Sequence, residues 1–410
     1  MYLKSLHLKN LKRVRDLELS FVDAGGKPRP VTVLIGPNGT AKTSILQAIA
    51  LCAVGSIQAN VLADKSIGVL RDRRVAEPMR LTARFETLNE VALTSHIVHD
   101  DTRPHELYGD FENEVDPNNV FVAGYGVARS IPGVGENMQL DRPSLDRLRN
   151  LFSPLSRPTS LRFADYLDNT KRFAQLLNSA IKSAGLIPGL RKVELRGQGG
   201  VRNAGDLIER ERFCMESEAD DIKLPALAMS HGYQAMVSWV ADLIGQAMLD
   251  KPSLASLKDI RGIVLIDELD AFLHPAWQRG LVGGMQRAFP NVQFIVSTHS
   301  PILISEVPAE AVVRLQLSSE HGNVERLVHD EDTGELRAAS GPDDAGGAPD
   351  PRLLTASALL RDWFGMEDTS KGVGLLGRSL YEYRALEASG KASSKSAKGL
   401  KSQLKSAGLI

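Results

Sequence analysis

The sequence has 410 residues, 43% of them hydrophobic and 24% charged. Those values exclude wholesale disorder and a fibrous protein, and they leave room for two or three domains. The 49 Lys and Arg balance 50 Asp and Glu, so net charge selects no partner and only its local distribution can. The two cysteines, Cys52 and Cys214, stand in no metal-ligand spacing, which argues against a disulfide framework or a zinc site and for a reducing cytoplasm. No run of 18 apolar residues occurs, so no membrane span is expected.

Residues 1–8 and 15–22 read as two strands of a half-buried hairpin around a turn at 10–13, because Leu3, Leu6 and Leu8, then Leu17, Leu19 and Phe21, approach strict alternation. VTVLI, 31–35, is a short apolar, β-branched run of the kind buried on both faces. A helix is expected from Lys42, with Ile45, Leu46 and Ile49 on one face, and a further strand over 81–88. Residues 97–118 carry seven acids against one arginine and read as an acidic loop. From 139 the pattern turns helical, with Leu145, Leu148 and Phe152, then Phe173, Leu176, Leu177, Ala180 and Ile181 at helical spacing. Between Arg142 and Arg202 stand 12 Lys and Arg against 4 acids. No heptad is sustained, so a compact basic insert is expected rather than a coiled-coil arm.

A glycine-rich stretch, 196–205, reads as a loop. A helix is expected over about 233–249, with buried strands at 262–266 and 292–296 and two more at 311–316 and 324–328. Residues 340–351 form a Gly/Pro/Asp linker, 352–387 carry helical patterns, and 388–410 hold five lysines and no acid. The expected division is a first part of a nucleotide-binding domain (1–138), a helical insert (139–190), a second part (191–339), the linker (340–351), and a C-terminal helical segment with a basic tail (352–410).

Four stretches carry chemistry. Gly36-Pro37-Asn38-Gly39-Thr40-Ala41-Lys42-Thr43-Ser44 lies between a buried strand and a helix, the context of a phosphate-binding loop. Its backbone N–H groups would face anionic oxygens, Lys42 the β- and γ-phosphates of ATP, and the Thr43 hydroxyl a Mg²⁺ ion. The pattern usually has glycine where Ala41 stands, and a methyl group there disfavours a left-handed backbone by roughly 1–2 kcal/mol. The second stretch, Ile263-Val-Leu-Ile-Asp267-Glu268, ends a strand in two acids; Asp267 suits the metal and Glu268 suits a general base for attacking water. The third, Ser297-Thr-His299, follows the next strand and offers a histidine to the γ-phosphate or the water; a structural histidine is the alternative. The fourth, Ser230-His-Gly232-Tyr-Gln, opens a helix with a hydroxyl and open N–H groups, as an anion contact or a plain helix cap. Outside these, His96, His99, Asp100, Asp101 and His105 could ligate a metal or form a solvated loop.

In this order and context the four stretches resemble the ABC-type ATPase head of the SMC, RecF and OLD-like group. The run from Asp267 to His274-Pro275 resembles the corresponding stretch in ABC-like ATPases of bacterial defence systems such as Septu and Gabija. Val122-Ala-Gly-Tyr125-Gly126 and the basic pair Lys12-Arg13 after an opening strand match that group loosely. The resemblance covers about 1–135 and 190–330. It implies an α/β fold, an ABC-type P-loop ATPase head with antiparallel N-terminal strands and a helical insert. It also implies ATP and Mg²⁺ as cofactors, with Arg13 and Ser230 at the nucleotide. Ser230 would act across a homodimer, or a higher oligomer, closed by ATP. The expected activity is ATP hydrolysis that gates a separate nuclease subunit on DNA or RNA, in anti-phage defence or DNA repair. A transporter's ATPase subunit and a nucleotide switch with little hydrolysis are the alternatives.

Overall fold

The computed structural model describes residues 1–87, 91–112, 121–133, 140, 142–184, 186–195, 211–216, 222–366, 374–389, 392 and 394–407. Contacts divide the chain into two units, 1–352 and 353–410.

In the first unit, β1 (Tyr2–Leu11) and β2 (Val14–Ser20) form the hairpin that the alternation of leucines implies, and Leu3, Leu6, Leu8 and Leu19 are buried on its inner face. The turn is tighter than expected: Leu11 pairs with Val14, so only Lys12 and Arg13 project from the end. β4 (Met79–Glu86) and β5 (Ala92–His99) extend this antiparallel sheet in the order β2-β1-β4-β5.

In the described part of the acidic 97–118 stretch, 101–106 are exposed turns, as expected of a solvated loop, but both flanks are paired. Its start belongs to β5, and Val98 exchanges both backbone hydrogen bonds with Tyr108. Residues 107–111 then pack on the helix Lys42–Ala63. Asn60 bonds both the N–H and the carbonyl of Leu107 at 2.7 Å. The helix breaks at Gly55 (φ +76°), where an added Cβ would lie 2.7 Å from the Phe111 ring. Composition hid this because half-buried strands tolerate acids on the wet face. The helix Lys42–Ala63 is the one described helix long and apolar enough to cross a membrane, and its Ile45, Leu46 and Ile49 are fully buried in the protein core.

The seven-stranded sheet runs β14-β13-β12-β3-β11-β10-β6. The strands β6 (Val122–Tyr125), β10 (Gly262–Ile266), β11 (Val292–Ser297), β3 (Val31–Ile35) and β12 (Val312–Leu317) are parallel; β13 (Val324–His329) and β14 (Leu336–Ala338) add an antiparallel edge. Parallel strands covered on both faces must be apolar throughout, and β3, β10 and β11 are buried at every position.

The 340–351 stretch does not behave as a free linker. Arg326 donates to the Gly341 and Asp344 carbonyls, each at 2.7 Å, and Gly347 N–H donates to the His329 carbonyl at 2.8 Å. Its Gly/Pro/Asp composition reflects tight turns along β13 rather than a lack of partners.

Over 142–184 the chain forms short helices and one longer one, Thr170–Ala184, whose Phe173, Leu177, Ala180 and Ile181 are buried as their spacing implies. A second antiparallel sheet follows, β7 (Leu190–Leu195), β8 (Glu211–Met215) and β9 (Ile222–Pro225). The sequence reading contains no strands there, because charges crowd these segments and only Leu190, Val193, Phe213 and Cys214 among the described residues turn inward. The glycine-rich 196–205 loop, 113–118 and most of 206–221 lie outside the described residues. The helix His231–Asp250 is buried along most of its length, Met236, Val240, Leu243 and Ile244 included.

In the second unit the lysine-rich end is ordered as a helix, Lys395–Ser406, capped by Ser394. Its Ala397 and Leu404 are buried with Tyr383 of the helix Gly374–Ala388. The apolar residues recur three and four apart among the lysines, so one face packs and the other carries the charge.

Candidate nucleotide-binding and hydrolysis site

β3 lies between β12 and β11, and β11 lies against β10. The chain therefore leaves β3, β10 and β11 on one sheet edge, the carboxyl end where open α/β sheets place their ligands. The loop after β3 turns at Gly36 (φ +148°), where a Cβ would sit 2.3 Å from the Leu315 carbonyl oxygen; only glycine fits. Ala41 adopts the left-handed conformation, φ +64° and ψ +18°, at a cost of about 1–2 kcal/mol. Its methyl group packs against the core rather than standing free. So the loop keeps the backbone shape that the usual glycine provides.

Lys42 arches back over this loop: its Nζ donates to the carbonyls of Gly36 at 2.7 Å and Pro37 at 3.1 Å. Burial lowers the pKa of the ammonium, against the upward pull of Asp267, Glu268 and Asp270. One helical residue on, Thr43 Oγ1 donates to Asp267 Oδ2 at 2.7 Å. The other carboxylate oxygen of Asp267 accepts from Ser297 Oγ at 2.5 Å, and Ser297 Oγ accepts from the Glu268 N–H at 2.7 Å. Glu268 itself has φ +46°. Thr298 Oγ1 and the His299 N–H both donate to Asp270 Oδ1, at 2.5 and 3.3 Å. At the hairpin tip, Lys12 Nζ donates to Ser44 Oγ at 2.9 Å, and burial lowers the pKa of Lys12.

A cleft of about 500 Å³ is lined by Lys12, Arg13, the loop from Asn38 to Ser44, Asp267, Glu268 and His299. The structure thus brings together Arg13, Asn38, Gly39, Thr40, Ala41, Lys42, Thr43, Ser44, Asp267, Glu268 and His299. Gly36 and Pro37 form the elbow beneath. Ser230 and Gly232 do not line this cleft. Ser230 is exposed at the start of its helix, and a Cβ on Gly232 would meet the Phe272 carbonyl at 2.7 Å. Tyr233 stacks edge-on against Trp277 at 4.3 Å, and His231 lies 5.8 Å from the exposed Phe272 ring.

The Thr43 hydroxyl and the Asp267 carboxylate are hard oxygen donors converging beside a phosphate loop, the donor set that Mg²⁺ takes alongside phosphate oxygens. Among the described residues no group of three or more His, Cys, Asp or Glu converges on a metal site. His96 instead faces Glu112 at 2.9 Å, and Asp100 accepts from Thr102. Sequence reasoning missed Arg129, buried beneath Asp267 and Glu268. The only available signal was its place three residues past the Val122–Gly126 stretch.

Two family models match, "AAA ATPase domain" over 1–179 and "AAA domain, putative AbiEii toxin, Type IV TA system" over 142–305. Each covers less than half of the chain, and with the fold and the cleft they fit a P-loop ATPase domain. Within that class the chain is similar to the Septu protein PtuA of Bacillus mycoides, 27% identical over 80% of this chain and 44% of that protein. It is also similar to the "Retron Vc95 probable ATPase" of Vibrio cholerae, 40% identical over 20% of this chain and 16% of that protein. The RecF protein of a Synechococcus strain is 34% identical over 23% of this chain and 19% of its own length. The matched stretches span less than half of each of these relatives. Among solved structures, an SmcHead bound to the C-winged helix domain of ScpA is 15% identical, covers 83% of this chain and 98% of that one, and has a TM-score of 0.49.

Proposed function

We propose that this chain is a Mg²⁺-dependent ATP hydrolase whose ATP-driven pairing with a second copy gates a nuclease partner in anti-phage defence or DNA repair. The observation that carries this reading is the Thr43–Asp267 contact at 2.7 Å, with Glu268 next in the chain and Lys42 and His299 on the same cleft. Lys42 takes the β/γ-phosphate charge, the loop N–H groups orient the triphosphate, and Thr43 and Asp267 hold the Mg²⁺ ion, which neutralises phosphate charge when bound. Glu268 accepts the proton of the attacking water, and His299 donates to the γ-phosphate or the water.

Ser230 and Gly232 complete the site from a second copy. Ser230 is exposed and lies outside its own cleft, and Gly232 nearby is packed under the carbonyl of Phe272, whose ring is exposed; this supports the arrangement. DNA or RNA is the favoured further partner. Arg172 of the insert lines a groove of about 330 Å³ with Lys258 and Arg287 and no acidic residue, which suits phosphodiesters. The buried free thiols of Cys52 and Cys214 fit a reducing cytoplasm. The defence setting follows the Septu and retron relatives.

The test is Glu268→Gln. It keeps the shape and removes the basicity, so ATP binding should persist while turnover falls on the order of 10²–10⁴-fold. The variant should accumulate as an ATP-bound dimer by light scattering. Wild-type turnover in this variant would remove Glu268 as the base; absence of turnover in the wild type would favour a nucleotide switch.

A further inference from the structure

Arg129 is nearly inaccessible, 3% exposed, and the charges of Asp267, Asp270 and Glu268 act on its guanidinium. Its guanidinium is spent on backbone. Nη1 donates to the Gly126 carbonyl at 2.8 Å and to the Asp267 carbonyl at 2.5 Å, and Nη2 donates to the Glu268 carbonyl at 2.8 Å. These three carbonyls belong to two adjacent strand ends, β6 and β10.

Glu268 needs such support. Its φ of +46° lies where a side chain is disfavoured by roughly 1–2 kcal/mol, and strain of this kind persists only where neighbours over-determine it. Ser297 Oγ holds the N–H of Glu268, and Arg129 holds its carbonyl. The residue is clamped at both ends of its backbone, which leaves the side chain one direction to leave from.

The segment carrying Arg129 is itself tied to the helix that Ser230 opens and to the insert. Ser238, on the helix that Ser230 opens, donates to the Ser130 carbonyl at 3.1 Å. Asn150 of the insert accepts from the Gly126 N–H at 2.7 Å and donates to the Ala128 carbonyl at 3.0 Å.

We propose that Arg129 is a positioning residue: by gripping the Gly126, Asp267 and Glu268 carbonyls it fixes where the Glu268 carboxylate stands, and it links that placement to the Ser230 helix and the insert. This rests on Glu268 being the general base.

A double-mutant cycle tests it, with Arg129→Lys, Glu268→Gln and the pair. Each protein is assayed for single-turnover ATP hydrolysis and for binding of a fluorescent ATP analogue. Lysine keeps the charge and cannot reach three carbonyls at once. Arg129→Lys should lower the hydrolysis rate roughly 10- to 100-fold, the scale of a small misplacement of a catalytic group, while the Kd for the analogue changes less than about 3-fold. In the Glu268→Gln background the same substitution should cost less than about 3-fold, because residues acting as a unit are not additive. Rate losses that multiply in the double variant, an unchanged rate in Arg129→Lys, or a weakening of binding that matches the rate loss would each overturn the proposal. Glu268→Gln hydrolysing like the wild type is a separate outcome that removes the base assignment beneath it. If Arg129→Lys does not fold, Arg129→Gln, which keeps a buried amide donor, is read in the same cycle with the same criteria.

Discussion

Asp242 is a carboxylate buried in the helix that Ser230 opens, and replacing it with asparagine should stabilise the protein at neutral pH. Burial raises its pKa to about 6, against the opposing pull of hydrogen bonds from the Ser160 and Thr159 amides and the Tyr125 hydroxyl. The ordinary value is 3.8, so the rise of about two units corresponds to about 3 kcal/mol lost to the folded state when the group is ionised. Between roughly pH 4 and 6 the folded protein holds a proton that the unfolded chain has released. Stability from this group therefore rises as pH falls from 6 towards 4, and the full penalty applies above 6. Asparagine keeps an oxygen for the Thr159 N–H, at 2.7 Å in the native protein, and the Tyr125 hydroxyl can turn to accept from its amide. Asp242→Asn should thus exceed the wild type by about 1–3 kcal/mol at pH 7.5 and converge with it near pH 4. Urea denaturation of both proteins across pH 4–8 measures the difference. A variant less stable at pH 7.5, or a gap that does not close on acidification, would refute the argument.

Other expectations concern the loop, the shared site and the basic groove. Ala41→Gly relieves about 1–2 kcal/mol of left-handed strain but restores about 0.5–1 kcal/mol of unfolded-chain entropy, so its stability should move by less than about 1 kcal/mol. Ala41→Val should lose at least about 1 kcal/mol in thermal unfolding. Lys42→Ala should weaken ATP binding and abolish hydrolysis. Mixing it with Ser230→Arg protomers should restore part of the activity, because both defects then fall in one composite site; no rescue in proven heterodimers would exclude sharing. Reversing Lys171 and Arg172 should weaken binding to DNA or RNA and flatten its salt dependence by roughly one unit per lost contact. A salt-independent affinity would mark the groove as ordinary solvated surface.

The central sheet was readable because its strands are buried on both faces: VTVLI and GIVLI announce themselves without context. The cleft was readable for a related reason. Lys42, Thr43, Asp267, Glu268 and His299 sit at fixed offsets from those strands, so locating the strands locates the chemistry. The sheet β7–β9 was not legible, since its pattern is diluted by charge and it is held by pairing rather than by a deep core. Arg129 was invisible for the opposite reason. A buried arginine looks like a surface one in sequence, and its partners Asp267 and Glu268 stand nearly 140 residues away. The packing of 340–351 depends likewise on Arg326 reaching back to carbonyls that composition does not reveal.

β3, the strand that carries the phosphate loop, is neither at an edge nor beside its neighbours in sequence: β11 flanks it on one side and β12 on the other. A ribosome finishes β3 at Ile35 and does not complete β12 until Leu317. At about 5–20 residues per second the interval is roughly 15–60 s. Until β11 is complete at Ser297, which is most of that interval, the apolar VTVLI strand, already synthesised, has no partner on either side. The nucleotide loop is consequently assembled late, when the C-terminal half closes around β3. A nascent chain of this protein thus presents a strong site for a holding chaperone, and one stalled before residue 300 would carry the phosphate-loop sequence without its binding site.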